Sequence, residues 1–332
     1  MSAPHTPAGT RARWVRLAQA GVTILLLVLL WRLVDGADAL ALLASADPRW
    51  LAAAVALVIA HTLLVAWRWK VTAAPLGLHL SARTAVEEYF LAQLINSALP
   101  GGVLGDVGRA ARSRHRASLR VSAGAVAVER GVGQVALVTV FTGGVIATLL
   151  TPAGFRLPDG WLTGVAVALA VASVIGAGVV AAGIVAARRP GSWAARVARG
   201  LHLSALSRRV LPAQAGLSLA AVACLLIAYG CCTIAVGAPL PAGALVTLVP
   251  LILISMVLPI SIGGWGVRET AAVSVLPAAG LTGAQALASS VAFGLVALVA
   301  TLPGLLTLWT SRHRPPLPHA SHPPRPLPED SP

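Results

Sequence analysis

Asn96-Ser97-Ala98-Leu99-Pro100-Gly101-Gly102-Val103-Leu104-Gly105-Asp106-Val107-Gly108-Arg109 is the stretch on which the fold turns. It gathers four glycines, a proline, an Asn, an Asp and an Arg into fourteen residues between long apolar runs. At membrane depth, helix-breaking backbone and charge are tolerated only where protein or a water-filled cavity satisfies them. A binding site at a discontinuous helix is the usual reason to carry them. A near-copy follows, Leu258-Pro259-Ile260-Ser261-Ile262-Gly263-Gly264-Trp265-Gly266-Val267-Arg268-Glu269. In both, a Leu-Pro is followed by a glycine five residues after the proline and an arginine nine after it. Two such stretches in register predict an internal repeat.

The flanking composition sets the solvent. Of 332 residues, 57% are hydrophobic and only 11% charged, against roughly 25% charged in soluble domains. The chain therefore reads as an all-α polytopic membrane protein. Its net charge of +14 does not point to nucleic acid, because the basic residues sit in short clusters between apolar runs, as in cytoplasmic loops. Cys224, Cys231 and Cys232 lie in one apolar run, away from any histidine, and read as packing residues rather than redox or metal chemistry. Ala44-Ser45-Ala46 resembles a signal-peptide cleavage site, but Asp35 and Asp38 separate it from an apolar stretch long enough to span, so a retained first helix is expected.

Along the chain, spans are predicted at about 14–34, 50–67, 121–150, 161–187, 212–236 and 284–309, with Arg68 and Lys70 just beyond the second. Residues 188–209 form a basic stretch able to hold an interfacial helix, and the termini, 1–13 and 311–332, read as disordered arms around a membrane domain of 14–310. Charge counting tests this map. With a cytoplasmic N-terminus and the first motif as a re-entrant hairpin, twenty of the 25 Lys and Arg lie inside, and Arg32, Arg49 and Arg156 outside. Arg130 and Arg268 remain at membrane depth. The path closes, with the C-terminus cytoplasmic, only if the second motif enters from the outer face. The expected fold is thus about six full spans plus two re-entrant broken-helix hairpins in an inverted repeat.

Membrane-depth charges are the candidates for chemistry: Asp106, Arg109, Glu129, Arg130, Arg268, Glu269 and, less centrally, Glu87. Each costs roughly 2.5–3.5 kcal/mol at a helix centre on insertion scales, so pairing is expected. Adjacent residues lie about 100° apart on a helix, so neither Glu129–Arg130 nor Arg268–Glu269 is expected to pair. Pairing between motifs resolves both, as Glu129 with Arg268 and Arg130 with Asp106 or Glu269. One reading makes these charges staples between helices. The other has Arg109, Arg130 and Arg268, with half-helix N-termini, face an anion such as a phospholipid or polyprenyl-phosphate headgroup. The groove residues are then Asn96, Pro100, Gly101, Gly102, Gly105, Asp106, Arg109, Glu129, Arg130, Pro259, Ser261, Gly263, Gly264, Gly266, Arg268 and Glu269. His61, inside the second span, reads either as hydrogen-bonded packing or as a proton relay. No catalytic motif, metal site or cofactor signature is recognised.

At these residues the chain resembles a known family, the bacterial flippase-like membrane domain that is also the N-terminal part of lysylphosphatidylglycerol synthases. The Asn-x-x-x-Pro-Gly-Gly-x-x-Gly-Asp-x-x-Arg pattern at 96–109, Glu129-Arg130, and Leu-Pro-x-Ser-x-Gly-Gly-x-Gly-x-Arg-Glu at 258–269 carry the resemblance, over about residues 14–310. Trp265 stands where a smaller residue is common in the family. The resemblance implies a bacterial inner-membrane protein that translocates or binds an anionic lipid or lipid-linked precursor. It does not extend to the synthases' aminoacyl-transferase domain, so enzyme activity is not expected. Two other readings remain open: a membrane-embedded transferase on a polyprenyl-phosphate carrier, with Asp106 and Glu129 as candidate acid–base groups, and a scaffold partnering an envelope-lipid enzyme.

Overall fold

The computed structural model describes residues 8–99, 104–113, 119–150, 207–256 and 261–312. Those residues are built from helices: α1 Ala8–Leu33, α2 Gly36–Ala44, α3 Pro48–Ala73, α4 Ala82–Ala98, α5 Leu104–Ser113, α6 Leu119–Leu150, α7 Leu211–Ala235, α8 Ala242–Ser255, α9 Val267–Val275, α10 Gly283–Ala300 and α11 Pro303–Arg312. Local chemistry sets several starts. The Asp35 carboxylate accepts from the Asp38 N–H to open α2, and Asp47 accepts from the Arg49 N–H with Pro48 in the first turn of α3. Ser81 caps α4, and Thr282 with Gln285 forms a capping box at α10.

Four helical stretches are long and apolar enough to cross a membrane: Pro48–Leu76, Val121–Leu150, Leu211–Ala235 and Gly283–Leu308. A fifth results if Leu17–Leu33 and Gly36–Ala44 form one span, bent by 96° at the break between them. The chain is therefore a multi-pass membrane protein. The predicted span at 161–187 and most of the basic stretch 188–209 lie outside the described residues. Three boundaries differ from the sequence reading. Helix α1 begins at Ala8, inside the arm expected to be disordered. Helix α3 does not stop near Trp67 but runs to Ala73, which draws Arg68 into the helix. At the other end, α11 carries helix to Arg312.

One succession of elements occurs twice. A long helix is followed by a left-handed glycine, α3 by Gly77 at φ +83° after a 3-10 turn over Ala74–Leu76, and α7 by Gly237 at φ +73°. In both turns the residue after the glycine bonds back to the helix, Leu78 N–H to the Ala73 carbonyl and Ala238 N–H to the Thr233 carbonyl. A shorter helix follows (α4, α8), then the glycine-rich motif, a short helix (α5, α9) and another long stretch (α6, and α10 continued by α11). The packing repeats as well: α4 lies on α5 as α8 lies on α9, α5 on α6 as α9 on α10, and α3 on α10 as α7 on α6.

The two leading helices, α3 and α7, pack along most of their lengths. Asp47 N–H bonds the Ala235 carbonyl, His61 Nδ1–H the Ala221 carbonyl, and Arg68 the Ser218 hydroxyl. Gln214 Nε2 donates to Thr72 Oγ1 at 2.5 Å. As numbers rise along α3 they fall along α7, so the pair is antiparallel. These bonds place His61 in the packing of the pair, in line with the first of its two readings.

Membrane helices gain little from hydrophobic association and approach closely at small residues. A Cβ on Gly105 would fall on the Ala92 carbonyl oxygen of α4. One on Gly144 would come within 2.6 Å of the Val246 carbonyl oxygen of α8, and one on Gly304 within 2.6 Å of the Phe90 carbonyl oxygen of α4. Gly124, also helical, has nothing within 4 Å of its added Cβ. Gly105→Ala is therefore expected to destabilise the detergent-solubilised protein by about 1–3 kcal/mol through overpacking against backbone that cannot yield. Gly124→Ala is expected to be neutral or stabilising by up to about 1 kcal/mol. Thermal unfolding followed by circular dichroism checks both, and equal losses would show that the α4–α5 approach is not tight.

Candidate functional site

Two buried charge centres lie in the packed interior, one in each copy of the repeated succession. The first is built around Glu129 of α6, which is fully buried. Arg68 of α3 reaches its Oε1 at 2.5 Å, and Arg109 of α5 reaches Oε2 at 3.3 Å. The Tyr89 hydroxyl of α4 lies 3.1 and 3.2 Å from the two carboxylate oxygens. Four helices thus meet on one carboxylate. Arg109 also bonds Asp106 Oδ1 at 2.9 Å, one helical turn earlier on α5, and its guanidinium carbon sits 4.4 Å from the Trp69 ring and 4.3 Å from the Tyr89 ring. That sandwich of cation and aromatic faces keeps Arg109 out of solvent while compensating its charge.

Asp106 links the buried part of the centre to its rim. Its Oδ2 accepts from Arg130 Nη2 at 2.8 Å and from Asn96 Nδ2 at 3.2 Å. Asn96, near the end of α4, also accepts from the Gly105 N–H at 2.7 Å, so it ties the two sides of the first motif together. Arg130 differs from the other two arginines: 41% of its side chain is exposed. The centre contains three guanidiniums (Arg68, Arg109, Arg130) and two carboxylates (Asp106, Glu129), a surplus of one positive charge.

The second centre is neutral. Arg268 and Glu269, neighbours at the start of α9, form an ion pair through Nη2 and Oε1, and Arg268 Nε lies 3.0 Å from the same oxygen. Glu269 Oε2 accepts from the Gly266 N–H at 2.7 Å, and Ser290 of α10 accepts from Arg268 Nε at 3.2 Å. The Trp265 ring lies 4.8 Å from the Arg268 guanidinium carbon and the Phe293 ring 5.9 Å. Gly294 leaves room for the Arg268 guanidinium and Trp265, as Gly133 leaves room for that of Arg68.

Several sequence expectations are corrected here. Glu129 and Arg268 do not pair; each is satisfied within its own half. Arg268 and Glu269 do pair, although adjacent in sequence. In the first turn of α9 no preceding turn blocks a long side chain from folding sideways, and the Gly266 N–H holds the Glu269 carboxylate beside it. Glu129 and Arg130 do not pair with each other, and Arg130 does pair with Asp106, both as expected. Arg109 and Arg268 are buried in ion pairs and ring contacts rather than facing a groove. Glu87 pairs with Arg83 four residues back, and the neighbouring Glu88 with Arg112.

Pro100, Gly101, Gly102 and Pro259 lie outside the described residues. Ser261 is buried, and next to it the Ile262 N–H donates to Thr23 Oγ1 of α1. Gly263, Gly264 and Gly266 all have positive φ, between +56° and +84°. At Gly263 the conformation is combined with a close approach: an added Cβ would lie 3.1 Å from the Ser97 carbonyl oxygen. There the second motif touches the first, so the two motifs meet even though their charges do not. Arg68, Tyr89, Ser290 and the two glycine seats went unread in the sequence. The i, i+4 polar pairs Arg68/Thr72 on α3 and Gln214/Ser218 on α7 were the available signal, since they mark facing polar stripes.

These features define a polytopic membrane protein with charge-paired centres inside its helix packing. The sequence profile of the Lysylphosphatidylglycerol synthase TM region matches residues 16–304, and the chain belongs to that family. Comparison with curated proteins and with solved structures gives no match.

Removing one partner of a buried pair typically costs about 3–5 kcal/mol. A double-mutant cycle of Arg68→Met with Glu129→Gln is expected to show about 0.5–3 kcal/mol of coupling. The corresponding cycle of Glu129→Gln with Arg268→Met, which share no partner, should be additive within about 0.5 kcal/mol. Unfolding free energies in mixed micelles give both values, and coupling in the second cycle would restore the pairing between motifs.

Proposed function

We propose that this chain is a bacterial inner-membrane protein, both termini cytoplasmic, that binds the anionic headgroup of a phospholipid or lipid-linked precursor and moves it between leaflets. The observation that carries the reading is Arg130. It lies nine residues into the span Val121–Leu150, about 14 Å along the helix axis, with 41% of its side chain exposed. An arginine side chain only partly covered at that depth calls for an anion or a polar groove beside it. Arginine recognises phosphate through paired hydrogen bonds, and the surplus positive charge of the first centre favours an anionic guest. Membership of a family named for the synthases of a phosphatidylglycerol derivative supports a lipid-borne phosphodiester as that anion.

The repeat supports movement rather than simple docking. Two like successions whose leading helices run antiparallel are what two halves of opposite orientation would display, with α4–α5 and α8–α9 as hairpins from opposite faces. Such inverted repeats place a site between the halves and alternate its access. The transferase reading is disfavoured because both candidate acid–base groups are held by cations: Glu129 by Arg68 and Arg109, Asp106 by Arg109 and Arg130. The scaffold reading does not account for an exposed arginine at membrane depth.

Two experiments test the proposal. In vesicles containing acyl-labelled fluorescent phosphatidylglycerol, the reconstituted protein is expected to let an impermeant quencher reach the inner-leaflet label, and Arg130→Gln to slow this at least tenfold while thermal stability stays near wild type. Quenching confined to the outer leaflet, with and without protein, would overturn translocation. For the orientation of the halves, cysteines replacing Arg83 in the first turn of α4 and Pro239 before α8 should be labelled from opposite faces of the membrane, the first from the cytoplasm. Labelling from the same face would overturn the inverted arrangement.

A further inference from the structure

The Asp106 carboxylate is shared between two arginines of different standing. Arg109 is buried, stacked between two rings and bonded to Glu129 as well, so it keeps its compensation whatever Asp106 does. Arg130 is the exposed one, and among the described residues Asp106 is the carboxylate it pairs with. Asn96 Nδ2 adds a third donor at 3.2 Å. Two guanidiniums and an amide converging on one buried carboxylate, beside the partly exposed Arg130, form an anion site whose occupant is part of the chain.

We infer that Asp106 is a built-in competitor for the headgroup: its carboxylate occupies the place on Arg130 that a lipid phosphate takes, and the lipid enters by displacing it. The inference rests on the headgroup reading of Arg130. It deepens that reading by making affinity a contest between two anions for one guanidinium. Chemistry supports the exchange. A carboxylate and a phosphodiester each carry one negative charge and accept from the same fork of N–H donors. Displacement leaves neither side uncompensated, because Asp106 retains Arg109 and Asn96 while Arg130 gains the phosphate. An unopposed Arg130 would hold a lipid too tightly to release it; a resident carboxylate limits the affinity and speeds departure.

The test uses the full chain in dodecyl maltoside, which contains no phosphate. Binding of acyl-labelled fluorescent phosphatidylglycerol is read by energy transfer from the protein's tryptophans. Asp106→Asn is expected to bind about tenfold more tightly than wild type, which corresponds to about 1.4 kcal/mol. Asp106→Ser carries the same expectation and covers the case in which Asn fails to fold. Arg130→Gln should lose most of the binding, and the double variant should be as weak as Arg130→Gln alone. In the wild type, infrared difference spectra on adding the lipid should show a shifted carboxylate stretch, a readout that needs no variant. Weak binding by Arg130→Gln with no gain in either Asp106 variant, or no carboxylate shift, would overturn the competitor and leave the headgroup reading standing. Undiminished binding by Arg130→Gln would overturn the headgroup reading itself. Millimolar inorganic phosphate should not displace the lipid; if it does, the site belongs to a soluble anion and the lipid assignment falls.

Discussion

The ionised carboxylate of Glu129, taken out of water in the middle of a helix bundle, is the constraint to which the rest of this structure answers. Desolvating such a group costs several kcal/mol, recovered only when geometry is good and the lone pairs are occupied. Here the donors come from α3, α4 and α5 at once. Helices in a bilayer are not pressed together by the hydrophobic effect, since lipid tails are as apolar as leucine. A buried acid with donors on three neighbours therefore sets which helices meet and at what depth. It explains why α5, only ten residues long, is held at a defined place by Arg109, and why α3 stays helical past Trp67 to present Arg68.

The second centre solves the same problem with fewer parts. Arg268 and Glu269 neutralise each other within one turn of α9, and α10 contributes only the Ser290 hydroxyl. In both centres an arginine lies over a glycine of the long helix that follows its motif, Gly133 or Gly294. The copies differ in charge, however. The first carries a surplus cation and an exposed arginine; the second is balanced and closed. The two centres thus answer the same need for compensation with different net charge, and the motifs that carry them touch at Ser97 and Gly263.

What the sequence disclosed follows from the kind of signal each feature leaves. Helix breaks were legible because Pro-Gly-Gly and Gly-Gly-Trp-Gly are rare in apolar runs, and the Arg130–Asp106 pair because both charges stand in regions that make charge expensive. Arg68 was not legible as a core residue, since a basic residue between two tryptophans, followed by Lys70, has the pattern of a membrane interface. Only its partners Glu129 and Ser218, 61 and 150 residues away, give it a buried role. The rule that adjacent residues face apart failed at Arg268–Glu269 because it describes Cβ directions in mid-helix, whereas a long guanidinium at a helix start is freer to turn sideways. The contact between motifs was foreseen, but through the wrong atoms: backbone and glycine make it, not charge.

Placing Asp106 on α5 rather than on a long span has a mechanical consequence. Helix α5 is bound to α4 through the Gly105–Ala92 approach and the Asn96 bond to Gly105, and to α6 through Arg109–Glu129 and Asp106–Arg130. Arg112 of α5 adds an ion pair to Glu88 of α4; of the two ion pairs that tie α5 to α6, Asp106–Arg130 is the one with a partly exposed partner, and the one the proposed anion would exchange. In the proposed exchange α5 would lose its tie to Arg130 while keeping the Arg109–Glu129 pair at depth. A ligand shifts a conformational equilibrium only by its differential affinity for the two states. The proposed competition at Arg130 would supply that difference, because the pair would be intact without the anion and replaced with it. In the proposed exchange, the carboxylate that limits binding would also be the element that links it to the first motif, which touches the second at Ser97 and Gly263.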